Sequence, residues 1–221
     1  MQSIKHKIKS APELVRDQLR EEIFSGQLIV GQQLRQDEIA ERFGTSRIPV
    51  REALRQLESE HLITYQPNKG AIVKGLSIQE VLQMFDIRIA LECHALKLAI
   101  PHMAEEDLAT AEDILQRYQH CTDPTIWGEM NWRFHWCLYE PCNRDKLLNL
   151  IEANYGHLNR YARTQISLSS GKEQPQEEHF VLLSLCREGK TEKAVQFLYQ
   201  HIEKAQKSLH AKLRKGKLRS D

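Results

Sequence analysis

Between Leu34 and Leu62 the chain reads LRQDEIAERFGTSRIPVREALRQLESEHL, two helical apolar patterns parted by one glycine. Leu34, Ile39, Ala40 and Phe43 recur at helical spacing, Gly44 interrupts them, and Val50, Ala53, Leu54 and Leu57 resume the period. That is two helices around a short turn. Ser46 stands where an N-cap belongs, and Pro49 falls in the first turn, where a missing N–H does little harm. The second helix therefore starts near Ser46 or Arg47. Its opening residues, Thr45, Ser46, Arg47, Ile48 and Arg51, combine hydroxyls that bond phosphate with guanidinium forks that bond guanine edges or phosphate. These are the residue types that a DNA-reading helix places at its N-terminal end.

The flanking segments complete a small domain. Leu14, Leu19, Ile23 and Phe24 mark an amphipathic helix ending before Ser25-Gly26. After Leu62, Ile63-Thr64-Tyr65 and Ala71-Ile72-Val73 read as two short strands joined by a turn at Pro67-Asn68-Lys69-Gly70. This hairpin has the form of a wing. Lys69 at its tip, beside a glycine that lets backbone come close, suits a groove or a phosphate, the alternative being an ordinary exposed turn.

From Ser77 onward the patterns are helical. Ser77-Ile78-Gln79-Glu80 is a capping box at the head of an apolar-rich helix that Pro101 ends or kinks. Further helices are expected at Ala104 to His120, Thr125 to Tyr139, Arg144 to Thr164, Gln174 to Glu188 and Thr191 to Leu213. The expected fold is mainly α. A winged helix-turn-helix of three helices and a two-stranded wing occupies residues 1–75, and an all-α helical bundle occupies residues 76–221.

The net charge of +1 conceals an uneven division. Residues 1–75 carry 12 Lys and Arg against 10 Asp and Glu, residues 76–203 carry 12 against 19, and residues 204–221 carry 7 against 1. The first region fits a basic patch, and the acidic middle is unsuited to face DNA. The cationic end reads as a solvated helix terminus. Five scattered cysteines without CxxC spacing argue against a disulfide framework and against a thiolate zinc site. No apolar run approaches the roughly 20 residues that span a bilayer, and the polar start lacks the apolar core of a signal peptide, so a cytoplasmic protein without membrane contact is expected.

The segment SRIPVREALRQLESEHLI, with YQPNKGAIV after it, closely resembles the winged helix-turn-helix of GntR-family bacterial repressors. The later motifs DIRIALE, NWRFH and EEHFVLLSLCREGKTEKA, followed by His201, resemble the all-helical FCD effector domain of the FadR-type subfamily. The resemblance implies that Arg47 and Arg51 contact DNA, with Thr45, Ser46 and Ile48 at or near the groove, Lys69 and Gly70 in the wing, and Arg35 on the backbone. It also implies a homodimer on a palindromic double-stranded operator, and a repressor or activator whose affinity is altered by a small carboxylate or similar metabolite. A dimer reading two half-sites is also the physically sensible route to specificity for a short recognition helix.

Many FCD domains resemble one another in an Asp and three His that hold a divalent metal. The matching positions here are Asn131, His135, His179 and His201, so asparagine stands in place of the aspartate and removes one negative charge. Asn131 and His135 are i and i+4 on one helix, and imidazoles suit zinc or nickel above all. His94, His102, His120, His157 and His210 read as ordinary core or surface residues. Arg88 and Glu92, also i and i+4, either meet an effector carboxylate or pair with each other. Asn131 and Arg163 are further candidate effector contacts, Arg163 sharing a helix with Arg160 and Tyr161 on what is otherwise a solvated face. Two competing functions remain at this stage, a metalloenzyme using the three histidines and a DNA-binding architectural protein without an effector.

Overall fold

The computed structural model describes residues 9–123, 126–165 and 173–217, with their side chains except those of 159–165, 173–175 and 212–217. It divides into two compact units, Met1–Leu76 with Arg160–Thr164, and Ser77–Asn159 with Gln165–Asp221.

In the first unit, helix α1 spans Ala11–Ser25. Glu13 starts it by accepting from the backbone N–H and the hydroxyl of Ser10 at 2.7 and 2.8 Å, and Gly26 ends it at a φ of 80°. Strand β1 (Gln33–Leu34) leads into α2 (Gln36–Arg42), and α3 (Arg47–Ser59) follows the turn at Gly44, where φ is 58°. Ser46 holds the extended N-cap conformation before α3, as its sequence position requires. Strands β2 (Ile63–Gln66) and β3 (Gly70–Val73) form the hairpin, with Thr64 opposite Ile72. Val15, Leu19 and Ile23 of α1 pack with Ile39 and Ala40 of α2 and Val50, Ala53, Leu54 and Leu57 of α3 in one core. Burying four side chains from the apolar face of α3 is what holds so short a helix in water.

The β2–β3 hairpin is the expected two-stranded wing, and a third strand joins it. Gln33 and Leu34 pair with Ile72 and Ala71, which makes a three-stranded antiparallel sheet in the order β1-β3-β2. Leu34, which fits the helical period in the sequence, is therefore a strand residue, buried with its backbone paired, and α2 starts only after Arg35. An apolar residue just before a helix can be read into the helical period whether or not it is helical.

The second unit contains α4 (Ile78–Ala99), α5 (Glu105–His120), α6 (Trp127–Tyr139), α7 (Asp145–Gln165) apart from its stretch Arg160–Thr164, α8 (Glu173–Arg187) and α9 (Thr191–Lys217). Ser77 and Glu80 form the expected reciprocal cap, with bonds of 2.8 and 3.1 Å. Pro101 lies in a short 3-10 turn that ends α4. Helix α4 packs on α9 and α6, α5 on α6 and α8, and α8 on α9. The Asn154 side chain of α7 donates to the Met84 carbonyl of α4 at 3.2 Å. Phe134, Tyr139, Leu96, Leu115 and Ile151 are among the largest fully buried side chains of this bundle. No helix among the described residues is long and apolar enough to cross a membrane.

Candidate DNA interface and candidate metal centre

In the first unit the core face of α3 leaves the opposite face to solvent. Ser46, Arg47, Ile48 and Arg51 are exposed there, and Thr45 is half-buried with its N–H bonded to the Ala40 carbonyl at 3.0 Å. Arg47 and Arg51 stand one turn apart, and exposed Arg55 continues the stripe by one more turn. Arg55 is a member that the motif reading passes over, although its i+4 spacing from Arg51 was available. Arg47 pairs with Asp37 of α2 and Arg35 with Glu38 at 3.1 Å. All four side chains are more than 60% exposed, so each pair contributes at most about 1 kcal/mol and a phosphate or guanine can displace it. Ile48, between Arg47 and Arg51 in the sequence, is 68% exposed.

The wing tip is a turn in which Pro67 takes the second position and Asn68 a φ of 63°, the positive φ that a type II turn requires third. The Lys69 N–H closes it onto the Gln66 carbonyl at 3.2 Å, and Gly70 follows at a φ of 71°. The Gln33 side-chain amide donates to the Lys69 carbonyl, tying the tip to β1. Lys69 and Gly70 are exposed.

In the second unit, α6, α8 and α9 bring His135, His179 and His201 together. Ring centroids lie 4.9 Å apart for His135 and His179, 4.9 Å for His179 and His201, and 5.5 Å for His135 and His201. One nitrogen from each ring falls within 4.8 Å of the others. His135 and His179 are fully buried and His201 nearly so. Burial, followed by the neighbouring imidazoles and Arg88, holds His135 well below the ordinary histidine pKa. Burial, followed by His201 and Arg88, takes His179 down to about 3. Burial also lowers His201, although Glu178 pulls the other way. All three rings are therefore neutral at neutral pH, the form in which imidazole is a metal ligand.

The polar atoms around the rings are unequally served. His201 Nδ1 lies 2.7 Å from Glu178 Oε2, and Lys204 holds the other oxygen of Glu178. Burial pushes the Glu178 carboxyl up, but the bonds from Lys204 and His201 outweigh it and its pKa is lowered. His135 Nδ1 faces Tyr139 Oη at 3.3 Å. His135 Nε2 and both nitrogens of His179 are buried without a hydrogen-bond partner. Leaving such atoms unsatisfied costs about 1–3 kcal/mol each, and one lone pair from each of the three neutral rings fits a borderline-soft divalent cation. The residues present thus fit a metal.

Asn131 stands one turn before His135 on α6, half-buried. Arg88 and Glu92 are found against each other, with Nε to Oε1 at 2.7 Å and Nη2 to Oε2 at 3.2 Å, so the guanidinium fork is filled from within the chain. Burial alone lowers the Arg88 pKa, but the Glu92 charge more than offsets it and the pKa is raised. Arg163, like Arg160 and Tyr161, lies on α7 outside the described side chains. Tyr139 and Glu178 were not singled out in the sequence. Tyr139 sits i+4 from His135, a spacing that could have found it, whereas Glu178 meets His201 only through the packing of α8 on α9.

Comparison with known proteins gives two family matches. Residues 12–73 match the model for bacterial regulatory proteins of the gntR family, and residues 83–204 match that for the FCD domain. The chain is 32% identical over 140 residues to the uncharacterised HTH-type transcriptional regulator YdhC of Bacillus subtilis (strain 168), covering 62% of either chain. It is 27% identical over 196 residues to the HTH-type transcriptional repressor GlaR of Escherichia coli (strain K12), covering 83% of this chain and 89% of that one. Among solved structures, a GntR family transcriptional regulator from Pseudomonas syringae pv. tomato str. DC3000 superposes with a TM-score of 0.59 at 32% identity. The match covers 96% of this chain and 89% of that one.

Proposed function

Because the chain belongs to the gntR family of bacterial regulatory proteins, in its FCD-domain branch, a family of DNA-binding transcriptional regulators and not of enzymes, we propose that it is a metabolite-responsive repressor. In this reading it acts as a homodimer on a palindromic operator in the cytoplasm. The observation that carries the DNA half is the exposed stripe of Arg47, Ile48 and Arg51 on a helix whose other face is fully buried. Arg47 and Arg51 read base edges, Ile48 meets an apolar edge such as a thymine methyl, and Thr45, Ser46 and Arg35 position the backbone. Lys69 and Gly70 bring the wing to a neighbouring phosphate. Residues 1–75 are the DNA-binding domain in this assignment, and residues 76–221 bind the effector and dimerise. The repressor GlaR among the relatives supports the sign of regulation.

The buried, unpartnered nitrogens of His135 and His179 beside His201 support the second half of the reading. These three histidines hold a divalent metal, zinc or nickel, with Asn131 supplying an amide oxygen from the same face as His135. When bound, the metal supplies a positive centre that a small carboxylate can coordinate. Asn131 and Arg163 are assigned as effector contacts, and Arg88 and Glu92 serve the site as a pair. An effector changes DNA affinity only so far as it binds the two states of the regulator unequally.

Selection of bound duplexes from a random-sequence pool, followed by titration of the enriched DNA with a carboxylate panel, tests this reading. An inverted repeat whose affinity changes with one acid is expected. An asymmetric site excludes the dimeric reading, and DNA affinity indifferent to every acid excludes the carboxylate effector.

A further inference from the structure

The bundle buries a second polar group beside the three imidazoles. Glu92 is 3% exposed, and both arms of the Arg88 fork donate into its carboxylate at 2.7 and 3.2 Å. A carboxylate gripped by a guanidinium fork in this way accepts hydrogen bonds and donates none. Its Oε2 also accepts from the Tyr139 hydroxyl at 2.8 Å. A phenol has one proton. Once that proton is given to Glu92, the hydroxyl oxygen can only accept on its other side, where His135 Nδ1 lies 3.3 Å away. The proton of the neutral imidazole must then sit on Nδ1, which leaves a lone pair on Nε2. Nε2 is the nitrogen of His135 that has no partner.

We infer that Arg88, Glu92 and Tyr139 form a relay that locks His135 in its Nδ1–H tautomer, with Tyr139 as the positioning residue that presents Nε2 to His179 and His201. The inference depends on the metal reading above for its use, but not for its test. Glu178 plays the matching part for His201, since a carboxylate 2.7 Å from Nδ1 requires the proton there and again frees Nε2. Two of the three rings are thus oriented from behind, one by a carboxylate on α8 and one through a phenol by a carboxylate on α4. His179 has neither device. With asparagine at position 131, the carboxylates nearest the rings stand behind them, Glu178 one hydrogen bond from His201 and Glu92 two from His135.

Long-range proton–nitrogen correlation spectra of metal-free, ¹⁵N-labelled full-length protein at neutral pH read the tautomer directly, with the His135 signals identified by their loss in His135→Gln. The relay requires a protonated Nδ1 and an unprotonated Nε2 in the native protein. It also requires that Tyr139→Phe, which keeps the ring and removes only the hydroxyl, release that preference and weaken zinc binding by about 10- to 100-fold in a chelator competition. A native His135 protonated on Nε2 overturns the inference whether or not any variant folds. So does a Tyr139→Phe protein that keeps both the Nδ1–H tautomer and the native zinc affinity. If the native protein shows the required tautomer and takes up no zinc, the relay stands and the metal reading falls.

Discussion

The two units place their polar chemistry on opposite sides of their cores. In the winged unit Arg47 and Ile48 are 72% and 68% exposed over an apolar interior, whereas in the bundle His179 is 0% exposed and the packed interior is itself the polar site. The difference sets what a substitution can reveal. Exposed groups such as Arg47 and Arg51 can be removed with little effect on folding, because their partners in the free protein are solvent and weak surface pairs. Buried groups such as His135, Glu92 and Tyr139 hold one another, so removing one leaves another unsatisfied and mixes function with stability.

The largest expected effect sharpens this contrast at its extreme. His179→Ala removes the ring of the three that has no hydrogen-bond partner on either nitrogen, so the bundle loses no bond with it. Elemental analysis of chelator-free protein should fall from about one metal per chain to none. Zinc at about a thousand times its Kd should stabilise the native protein by about 4 kcal/mol and leave the variant's melting temperature unmoved. A variant that keeps its metal would show that the histidine cluster is a packing feature.

The unequal legibility of the two units in the sequence has the same origin. The helix-turn-helix was readable because the Ser46 cap, the Gly44 turn and the apolar period of α3 all lie within one continuous segment. The two-residue strand β1 was not readable, since Gln33 and Leu34 are too few to show alternation and are defined by pairing with β3. In the bundle, helix positions followed from caps and prolines, but the convergence of His135, His179 and His201 depends on how α6, α8 and α9 pack, and only the family resemblance pointed to it. The i,i+4 spacing of Arg88 and Glu92 allowed two readings, and in the folded chain the two side chains pair with each other beside Tyr139. The relay leaves a local trace only between His135 and Tyr139, four residues apart on α6, and none to Glu92 on α4.

On the exposed side, Arg47→Ala and Arg51→Ala should each weaken binding to the selected operator by about 1–3 kcal/mol per lost base contact while the melting temperature stays put. A loss of stability in either would mean that the recognition face is coupled to its core. Ile48→Ala should have a smaller effect, about 1 kcal/mol, confined to operators with thymine at one position and absent when uracil replaces that thymine. Equal loss on thymine and uracil would remove the methyl contact and leave Ile48 as a spacer.

The smallest effect is expected at the wing, where it takes a different form. The tip is held by backbone, through the Lys69 N–H on the Gln66 carbonyl and the Gln33 amide on the Lys69 carbonyl, so Lys69→Ala leaves both bonds intact. What it removes is one exposed cation. If that cation neutralises one phosphate, the slope of log K against log salt should flatten by about 0.9 per protomer, equally for specific and random duplexes. At high salt the variant and the native protein should converge. Gly70→Ala is the control for geometry, because its φ of 71° strains any Cβ although nothing lies within 4 Å to clash with it. A flattened slope in Lys69→Ala together with a native slope and lower stability in Gly70→Ala would separate the charge of the wing from its shape. An unchanged slope in Lys69→Ala would leave α3 as the main electrostatic contact of the winged unit.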